Sequence, residues 1–510
     1  MMEVSQYKMN KYTVKNFIDI LKQAKVFEDS NIKDYTELVA NLTYNSKEVS
    51  DGTLFICKGQ HFKKEYLEEA IIRGAKFYIS ETDYEVGIPF IRVNDIRKAM
   101  YLVAVKYYEN PSNNLTTIGI TGTKGKSTTL YFVKSILDTY LASLGKPLSG
   151  YTSSVDFYDG IKTLPAHNTT PEAVELQKIL RTALDNGIKY FEMEVSSQAL
   201  KYERVGGMNF NYGIFMNISE DHISPVEHPD FNDYFESKLK IFDICNTGII
   251  NINSDYFDRI IKRAENCNKI ITFGLSKDAD IYAYDIKKSD DNGIEFKVKS
   301  EDFNEKFEIG MPGIFNVENA LAAIALAREL KIPITYIREG VLAARCSGRM
   351  EVFTSKDGKI ISIVDYAHNK LSFENIFKSV KSEYPDRRIV VLFGSTGGKA
   401  IDRRKDLGKI AGEMADKIYL TTEDPGEEPA IDIINDIYKY ASKFGKPIEI
   451  IEDRREAIWQ ALSDNKEESV YLILGKGAEK SIKMGNGYID YESDIEIVKE
   501  YIKIYDKNNH

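Results

Sequence analysis

A glycine-rich segment that follows a short apolar run has the residue types needed to bind a polyphosphate. Residues 121–128 read TGTKGKST and come directly after the run TTIGI. Small residues leave backbone N–H groups open to an anion, and a helix that begins there adds the positive end of its dipole. Lys126 would neutralise charge on the β- and γ-phosphates, and the Ser127 hydroxyl would ligate Mg²⁺. The pattern predicts a nucleotide site rather than a simple turn, although Ile120 replaces the first glycine of the common GxxxxGK[ST] loop.

Strand-like and helix-like segments alternate after this loop. Apolar runs separated by helical patterns occur at residues 190–195, 212–216, 248–252 and 269–273. After Arg349 the alternation restarts, with apolar runs at residues 360–364, 388–393, 417–420, 448–451 and 470–474. Such alternation is typical of a doubly wound, mostly parallel sheet. One exception is a hairpin predicted from residues 281–287 and 294–299, which are joined across Asp-Asp-Asn-Gly.

The N-terminal part of the chain reads as a smaller unit. Short apolar runs at residues 53–57 and 76–80 indicate strands, and residues 96–108 place apolar side chains on one helical face. The turn formers NPSNN at residues 110–114 then indicate a linker. We therefore predict an α/β protein with three units in series.

Composition excludes several classes of protein. The chain has 510 residues, of which 43% are hydrophobic and 29% charged, as in soluble globular proteins. Lys+Arg 68 against Asp+Glu 78 gives a formal net charge of −10, so we expect no nucleic-acid partner. No apolar run approaches the ~18 residues of a membrane span, and the start lacks the apolar stretch of a secretory signal. The four cysteines lie far apart without a CxxC pair, which predicts neither a zinc site nor a disulfide framework and favours the reducing cytoplasm.

The phosphate loop resembles that of the Mur ligases and of their folylpolyglutamate synthetase relatives. Further segments similar to Mur ligase motifs follow in chain order: NTTPE at 168–172, EMEVSSQ at 192–198, NISEDH at 217–222, GIFNVENA at 313–320, GRME at 348–351, DYAH at 365–368 and GKG at 475–477. The set resembles most closely the Mur ligase type that adds the third residue of the peptidoglycan stem peptide. One motif alone would not be specific, but this common order runs through nearly the whole chain.

The resemblance implies three domains and a reaction. Residues 1–112 would form a small α/β domain that binds a UDP-sugar, residues 113–346 a central P-loop-type, doubly wound ATPase domain, and residues 347–510 a C-terminal Rossmann-like domain that binds an amino acid. A carboxylate does not react with an amine at neutral pH, so the enzyme would use ATP and Mg²⁺ to convert it into an acyl phosphate. The substrates would be UDP-N-acetylmuramoyl-L-Ala-D-Glu and a free amino acid, bound by a monomer in the cytoplasm.

The resemblance also implies the catalytic residues and the ATP site. Catalysis would depend on Lys126, Glu194, His222 and Lys238. Mg²⁺ would be held by Ser127, Glu194, His222 and, if it is carbamylated, Lys238. ATP would contact Gly122, Thr123, Lys124, Gly125, Lys126, Ser127, Thr128, Asn316, Asn319, Arg349, Asp365 and His368. From the residues alone, Glu194 ends an apolar strand, where α/β active sites gather, whereas Lys238 is equally compatible with a solvated position on an amphipathic helix.

Two further sets of residues would bind the substrates by the same resemblance. The acceptor nucleotide would contact Ser46, Asn168, Thr169, Thr170, Ser196 and Arg204. The incoming amino acid would contact Arg404, Lys405, Glu423, Asp424, Gly426, Gly475 and Glu479. Diaminopimelate-adding relatives carry DNPR, whereas residues 423–426 read EDPG and lack the arginine that pairs with a distal carboxylate. An anionic pocket suits a side-chain ammonium, so we predict L-lysine, or ornithine as a shorter diamine, over meso-diaminopimelate.

Other functions stay open at this point. A folylpolyglutamate synthetase-like enzyme shares the loop, but the NTTPE and EVSS segments and the separate N-terminal unit speak against it. A Mur-like ligase for a different acceptor is compatible with the departures from the family pattern at Asn45, Gln198, Asn369 and Ala478. A nucleotide-dependent switch protein would instead hydrolyse ATP without forming a peptide bond.

Overall fold

Three α/β sheets follow one another along the chain. The computed structural model describes residues 12–59, 62–166, 168–220, 223, 227–289, 293–398, 401–464, 467–485 and 487–509. Within these residues the sheets have five, eleven and six strands, and a two-stranded ribbon follows the last strand of the third sheet. The predicted α/β class is confirmed, and the bounds of the domains stay a prediction.

The first sheet has strand order β1-β5-β4-β3-β2, and only the edge strand β1 among these five is antiparallel to its neighbour. Its strands are β1 (Phe27–Ser30), β2 (Asn41–Thr43), β3 (Thr53–Ile56), β4 (Ala75–Ser80) and β5 (Phe90–Val93). Its helices are α1 (Val14–Gln23), α2 (Lys64–Ile72) and α3 (Ile96–Tyr107). The Asp95 carboxylate caps α3 by accepting hydrogen bonds from the backbone N–H groups of Arg97 and Lys98 at 3.1 and 2.9 Å. The predicted apolar face of this helix is confirmed.

The second sheet carries the phosphate loop at its centre. Its strands are β6 (Thr116–Thr121), β7 (Gly150–Thr152), β8 (Asp156–Tyr158), β9 (Thr163–Pro165), β10 (Tyr190–Glu194), β11 (Phe210–Phe215), β12 (Cys245–Asn251), β13 (Lys269–Gly274), β14 (Ile281–Lys288), β15 (Ile294–Lys299) and β16 (Asn304–Ile309). Its helices are α4 (Lys126–Ser143), α5 (Ala173–Asp185), α6 (Ser197–Lys201), α7 (Phe231–Leu239), α8 (Phe257–Ala264), α9 (Asn316–Glu329) and α10 (Ile334–Ala343). The strand order is β16-β15-β14-β13-β12-β11-β6-β10-β7-β8-β9. Because the chain crosses from one side of β6 to the other between β10 and β11, the loop after β6 lies at a switch point, where α/β proteins bind ligands.

Helices cover both faces of this second sheet. On one face, Ile118 of β6 packs in a buried cluster with Leu130 of α4. On the other face, Phe191 of β10 packs with Leu176 of α5. The doubly wound arrangement and the predicted hairpin are therefore confirmed, the hairpin as β14 and β15, which β16 extends to three strands.

The third sheet has strand order β17-β18-β22-β19-β20-β21, in which only the edge strand β17 among these six is antiparallel. The strands of this unit are β17 (Glu351–Thr354), β18 (Ile360–Asp365), β19 (Arg388–Phe393), β20 (Lys417–Leu420), β21 (Ile448–Ile450), β22 (Ser469–Leu474) and the ribbon strands β23 (Ser481–Met484) and β24 (Gly487–Asp490). Its helices are α11 (Lys370–Glu383), α12 (Asp402–Met414), α13 (Ala430–Ala441), α14 (Arg454–Ser463) and α15 (Asp494–Asn508). Every strand predicted for this unit is confirmed. None of the helices in the described ranges is long and apolar enough to cross a bilayer.

Candidate active site

The phosphate loop turns from β6 into α4 through two glycines in the left-handed region of φ. Gly122 has φ +150° and Gly125 has φ +82°. A Cβ atom on Gly125 would lie 2.3 Å from Oδ1 of Asn319, and one on Gly122 would lie 2.9 Å from Cβ of Met216. The glycines therefore allow the loop to pack directly against α9 and against the segment that follows β11.

Asn217 fixes the backbone of the loop. Its Oδ1 accepts a hydrogen bond from the Lys124 N–H at 2.8 Å, and its Nδ2 donates to the Lys124 carbonyl at 3.2 Å. The Asn217 carbonyl accepts from the Thr123 N–H at 3.0 Å, and Thr123 Oγ1 lies 3.1 Å from the Tyr234 hydroxyl. Sequence reasoning missed Asn217 and Tyr234, although Asn217 opens the NISEDH segment that it singled out.

Two lysine side chains converge on one carbonyl of the loop. The ammonium groups of Lys126 and Lys238 each donate a hydrogen bond to the Gly122 carbonyl at 2.9 Å, and Lys126 also donates to the Thr123 carbonyl at 3.2 Å. Lys238 is 2% exposed, so it is not the solvated lysine of the alternative interpretation. The structure thus brings the two lysines together where positive charge would face a bound polyphosphate, and carbamylation of Lys238 stays a prediction.

Oxygen atoms suited to Mg²⁺ cluster beside these lysines. The Glu194 carboxylate, which is 1% exposed, accepts hydrogen bonds from the Ser154 N–H at 2.8 Å and from its hydroxyl at 3.2 Å. The Ser154 hydroxyl also lies 3.2 Å from that of Ser127. Carboxylate and hydroxyl oxygens are the ligands that Mg²⁺ prefers, so Ser127 and Glu194 fit this ion. Sequence reasoning missed Ser154, and the predicted ligand His222 lies outside the described residues.

The two asparagines predicted to contact ATP form a buried pair behind the loop. Asn316 donates from Nδ2 to the Pro312 carbonyl at 2.6 Å, and Asn319 donates from Nδ2 to Asn316 Oδ1 at 3.0 Å. Thr128 is also buried at the start of α4. The structure therefore brings the first part of the predicted ATP set together, and its contacts with a nucleotide stay a prediction.

Arg349 connects the third unit to the loop. Its guanidinium donates to the Ser127 hydroxyl at 3.3 Å and lies 4.5 Å from the centre of the Tyr366 ring. Burial raises the pKa of the neighbouring Asp365, and the positive charge of Arg349 acts in the opposite direction. Nδ1 of His368 lies 2.7 Å from the Tyr366 carbonyl. The predicted residues of the DYAH segment therefore gather beside the loop.

A cavity of about 610 Å³ opens beside the two lysines. Its lining residues are Lys126, Asn168, Thr169, Ser196, Ser197, Gln198, Arg204, Glu227 and Lys238. Thr170 lies behind this wall, where its hydroxyl donates to the Glu194 carbonyl at 2.8 Å and accepts from the Ser196 N–H at 3.0 Å. Arg204 donates to the Thr170 carbonyl at 3.1 Å and pairs with Glu172 at 3.0 Å. Most of the predicted acceptor-binding residues thus surround one space.

Ser46 lies apart from this cavity, in the first unit. Its hydroxyl donates to the Glu69 carboxylate at 2.7 Å, and it is not among the residues that line the cavity in the described ranges. The first unit reaches the cavity wall through Lys58, whose ammonium pairs with Glu172 at 2.7 Å. Lys58 was not predicted, because nothing in its sequence neighbourhood indicates a partner more than a hundred residues away.

A second cavity lies between the loop and the third unit. Its lining residues are Ser154, Val155, Ser347, Gly348, Arg349, Tyr366, Lys476, Ala478 and Glu479. Burial, together with the charges of Glu479 and Glu423, raises the pKa of the Tyr366 hydroxyl well above its usual value. Since Arg349 and Ser154 both contact Ser127, this cavity reaches the phosphate loop from the side opposite the lysines' cavity.

Acidic residues gather at the wall of the second cavity. The Lys476 ammonium lies 2.9 Å from Asp424 Oδ1 and 2.5 Å from Glu479 Oε2. Glu423 is 4% exposed, and burial raises the pKa of its carboxyl to about 7, against the positive charge of Arg454. A Cβ atom on Gly475 would lie 2.5 Å from Glu423 Oε2, so this glycine leaves the space that the carboxyl occupies. The anionic pocket expected from EDPG is present, with Lys476 as a cation that sequence reasoning did not include.

Known proteins share both the motifs and the architecture of this chain. The sequence profile described as "Mur ligase middle domain" matches residues 120–327, and that described as "Mur ligase, glutamate ligase domain" matches residues 348–477. A UDP-N-acetylmuramoyl-L-alanyl-D-glutamate--L-lysine ligase of Enterococcus faecalis is 38% identical over 472 residues, which are 91% of this chain and 92% of that protein. The chain belongs to the Mur ligase family. A ligase of the same name from Streptococcus sanguinis is also 38% identical and covers 96% of this chain and 97% of its own length.

Solved Mur ligases have the same fold. A UDP-N-acetylmuramoyl-L-alanyl-D-glutamate--2,6-diaminopimelate ligase superposes with a TM-score of 0.63 at 24% identity, over 97% of this chain and 99% of its own. A MurF ligase of Thermotoga maritima in complex with ADP gives a TM-score of 0.59 at 17% identity, over 92% and 98% of the two chains. The resemblance seen in the motifs is confirmed, and this Mur ligase is an ATP-dependent enzyme that forms an amide bond. The switch-protein alternative is therefore disfavoured.

Three residues expected to bind the amino acid lie around α12 and the ribbon of this Mur ligase. The Arg404 guanidinium pairs with Glu428 at 2.6 Å and with Asp436 at 2.9 Å, and Lys405 is exposed. Gly426 donates from its N–H to the Lys483 carbonyl at 3.1 Å, which joins the EDPG loop to β23. Contacts of Arg404, Lys405 and Gly426 with the amino acid stay a prediction.

Proposed function

We propose that this Mur ligase joins L-lysine to the D-glutamate end of UDP-N-acetylmuramoyl-L-Ala-D-Glu in peptidoglycan synthesis, with ATP and Mg²⁺. The observation that carries the proposal is that the phosphate loop stands between two cavities. Lys126 and Lys238 line one cavity, and Arg349 and Ser154, which both contact Ser127, line the other. A carboxylate in the first cavity and an amine in the second would meet at the γ-phosphate.

The proposed reaction has two steps. In the first, an acceptor carboxylate oxygen attacks the γ-phosphorus, the bond to the β,γ-bridging oxygen breaks, and ADP leaves with the electron pair. In the second, the amine nitrogen attacks the acyl carbon, phosphate leaves with the electrons of the C–O bond, and the nitrogen gives its proton to a base, which we assign to Glu479.

The residues of the loop would act mainly by holding charge in place. Phosphoryl transfer depends on positioning and on neutralising crowded anions, and the paired ammonium groups of Lys126 and Lys238 are suited to that task. Mg²⁺, held by Ser127 and Glu194, would supply further positive charge against the phosphates.

The choice of L-lysine rests on relatives and on charge. The most similar relatives described above are named as L-lysine ligases. Residues 423–426 offer no guanidinium to a distal carboxylate, whereas Glu423 and Asp424 favour a side-chain ammonium. One chain lines both cavities, so we propose that a monomer suffices, and we place the reaction in the cytoplasm, where ATP and UDP-sugars are held.

A phosphate-release assay with each substrate omitted in turn tests the proposal. We expect release only when ATP, the UDP-linked dipeptide and an amino acid are all present, with L-lysine the fastest in a panel that includes meso-diaminopimelate. Hydroxylamine should trap the acyl phosphate. Lys126→Met should lower kcat by about 100-fold or more, and Lys134→Met, on the same helix but paired with Asp138, should not. Release without the dipeptide, or fastest turnover with meso-diaminopimelate, would contradict the proposal.

A further inference from the structure

Lys476 bridges two carboxylates that belong to different segments of the third unit. Asp424 follows β20, and Glu479 lies in the turn that leads from β22 to the ribbon. The Lys476 side chain is 2% exposed, whereas those of Asp424 and Glu479 are 23% and 33% exposed. The ammonium is therefore enclosed in the wall, and the carboxylates that it joins remain partly open.

The bridge is one part of a set of contacts that fixes Asp424. The Asp424 Oδ1 that meets Lys476 also accepts a hydrogen bond from the Lys483 N–H at 2.8 Å, and the Asp424 carbonyl accepts from the Gly397 N–H at 2.9 Å. Glu479 is connected to Lys476 twice, through its side chain and through its N–H, which donates to the Lys476 carbonyl at 3.1 Å. The separation of the two carboxylates therefore depends on Lys476.

Charge in this wall is not balanced by Lys476. Asp424 and Glu479 are two anions beside one ammonium, and Glu423 adds a carboxyl that is partly ionised near neutral pH. Arg454 does not make up the difference, because both its Nε and Nη2 are held by Asp494, at 2.8 and 2.7 Å. A further cation entering the cavity would therefore find unneutralised negative charge.

We propose that Lys476 is a specificity-determining residue that selects the length of the diamine substrate. This inference rests on the proposed function, in which Glu479 meets the α-amino group and Asp424 meets the side-chain ammonium. The bridging ammonium holds these two carboxylates at one separation, so a diamine shorter by one methylene does not reach both. Without the bridge the like charges of Asp424 and Glu479 repel each other, and the pocket loses its measure of length.

Kinetics with two diamines test the inference. In the full-length enzyme with saturating ATP and UDP-linked dipeptide, we expect kcat/KM for L-lysine to exceed that for L-ornithine by about tenfold or more, the usual value of one methylene in a fixed pocket. Lys476→Met should bring this ratio close to one. Lys476→Arg, which keeps the charge, should retain part of the preference, and Lys480→Met, an exposed neighbour, should leave the ratio unchanged.

The outcomes separate this inference from the proposed function. A Lys476→Met enzyme that is slower but keeps the wild-type ratio would show a merely structural role and overturn the inference. If wild type uses neither diamine, the proposed function itself is wrong. If Lys476→Met has no activity, calorimetric binding of the two diamines in the presence of ADP and the dipeptide gives the same ratio, and an unchanged preference there again overturns the inference.

Discussion

Arg349 donates a hydrogen bond to the hydroxyl of Ser127 over 3.3 Å, across the boundary between the third unit and the phosphate loop. Ser127 is the residue expected to hold Mg²⁺, and its hydroxyl also lies 3.2 Å from that of Ser154. The third unit thereby brings a positive charge to the loop that binds ATP. Because both substrates must meet at this place, the contact links the position of the third unit to the chemistry.

Replacing Arg349 by methionine is expected to lower kcat about 100-fold, because one charged donor beside the transferring phosphoryl group is lost. The KM for the amino acid should change little, since the side chain faces the loop. Steady-state phosphate release measures both. Arg345→Met is the control, since this exposed guanidinium donates to the carbonyls of Leu342 and Ala344. Equal kcat for the two variants would contradict the role of Arg349.

Gly125→Ala is expected to weaken ATP binding strongly. The added Cβ would lie 2.3 Å from Asn319 Oδ1, and φ of +82° is unfavourable for alanine by about 1–2 kcal/mol. Gly145→Ala at the other end of α4 has φ +60° but meets no atom within 4 Å, so it carries the same backbone cost without the clash. Calorimetric titration with an ATP analogue should show lost affinity for Gly125→Ala alone. Similar affinities in the two variants would mean that the loop adjusts to the extra atom.

Much of the fold could be predicted because its strands are buried on both faces and read as continuous apolar runs. The strand predicted at residues 388–393 is Arg388–Phe393 in the structure, and the phosphate loop begins at the end of a predicted strand. The short strands β8 and β9 were not predicted, since three-residue antiparallel strands carry too little periodicity to detect.

The candidate site could be predicted only where its residues share a local motif. Lys126 and Ser127 were found because they stand within one loop. Ser154 was missed because its hydrogen bonds to Glu194 join residues 40 positions apart, and no local pattern indicates such a pair. Lys476 was missed for a related reason, because its charge is compensated by Asp424, which is distant in sequence and near in the fold.

Glu423 is expected to make the third unit less stable as pH rises. Its pKa is raised from 4.5 to about 7 by burial, so the stabilisation from its neutral form is complete below pH 4.5 and is lost as pH rises through 7. The loss should approach about 3 kcal/mol, and Glu423→Gln should remove this pH dependence. Fluorescence of Trp459, the single tryptophan, follows denaturant unfolding of this unit at pH 5 and pH 8. The exposed Glu413→Gln should behave as wild type, and an unchanged pH dependence in Glu423→Gln would refute the assignment.

Arg454→Met is expected to destabilise the third unit by about 3–5 kcal/mol, because it leaves the Asp494 carboxylate buried without its partner. The two side chains are each 0% exposed, and the Arg454 guanidinium also donates to the carbonyls of Thr422 and Leu474, at 3.2 and 2.8 Å. These carbonyls belong to the segments that carry Glu423 and Gly475, so the amino-acid KM should rise as well.

Arg455→Met is the matched control for this change. Its guanidinium is 41% exposed and pairs with Glu492 and Glu500 at the surface, where an ion pair contributes less than about 1 kcal/mol. Because Arg455 lies 5.8 Å from the centre of the Trp459 ring, the midpoint of the denaturant transition, and not the fluorescence intensity, is the quantity to compare. Comparable midpoints for the two variants would show that the buried pair with Asp494 does not hold the base of the amino-acid pocket.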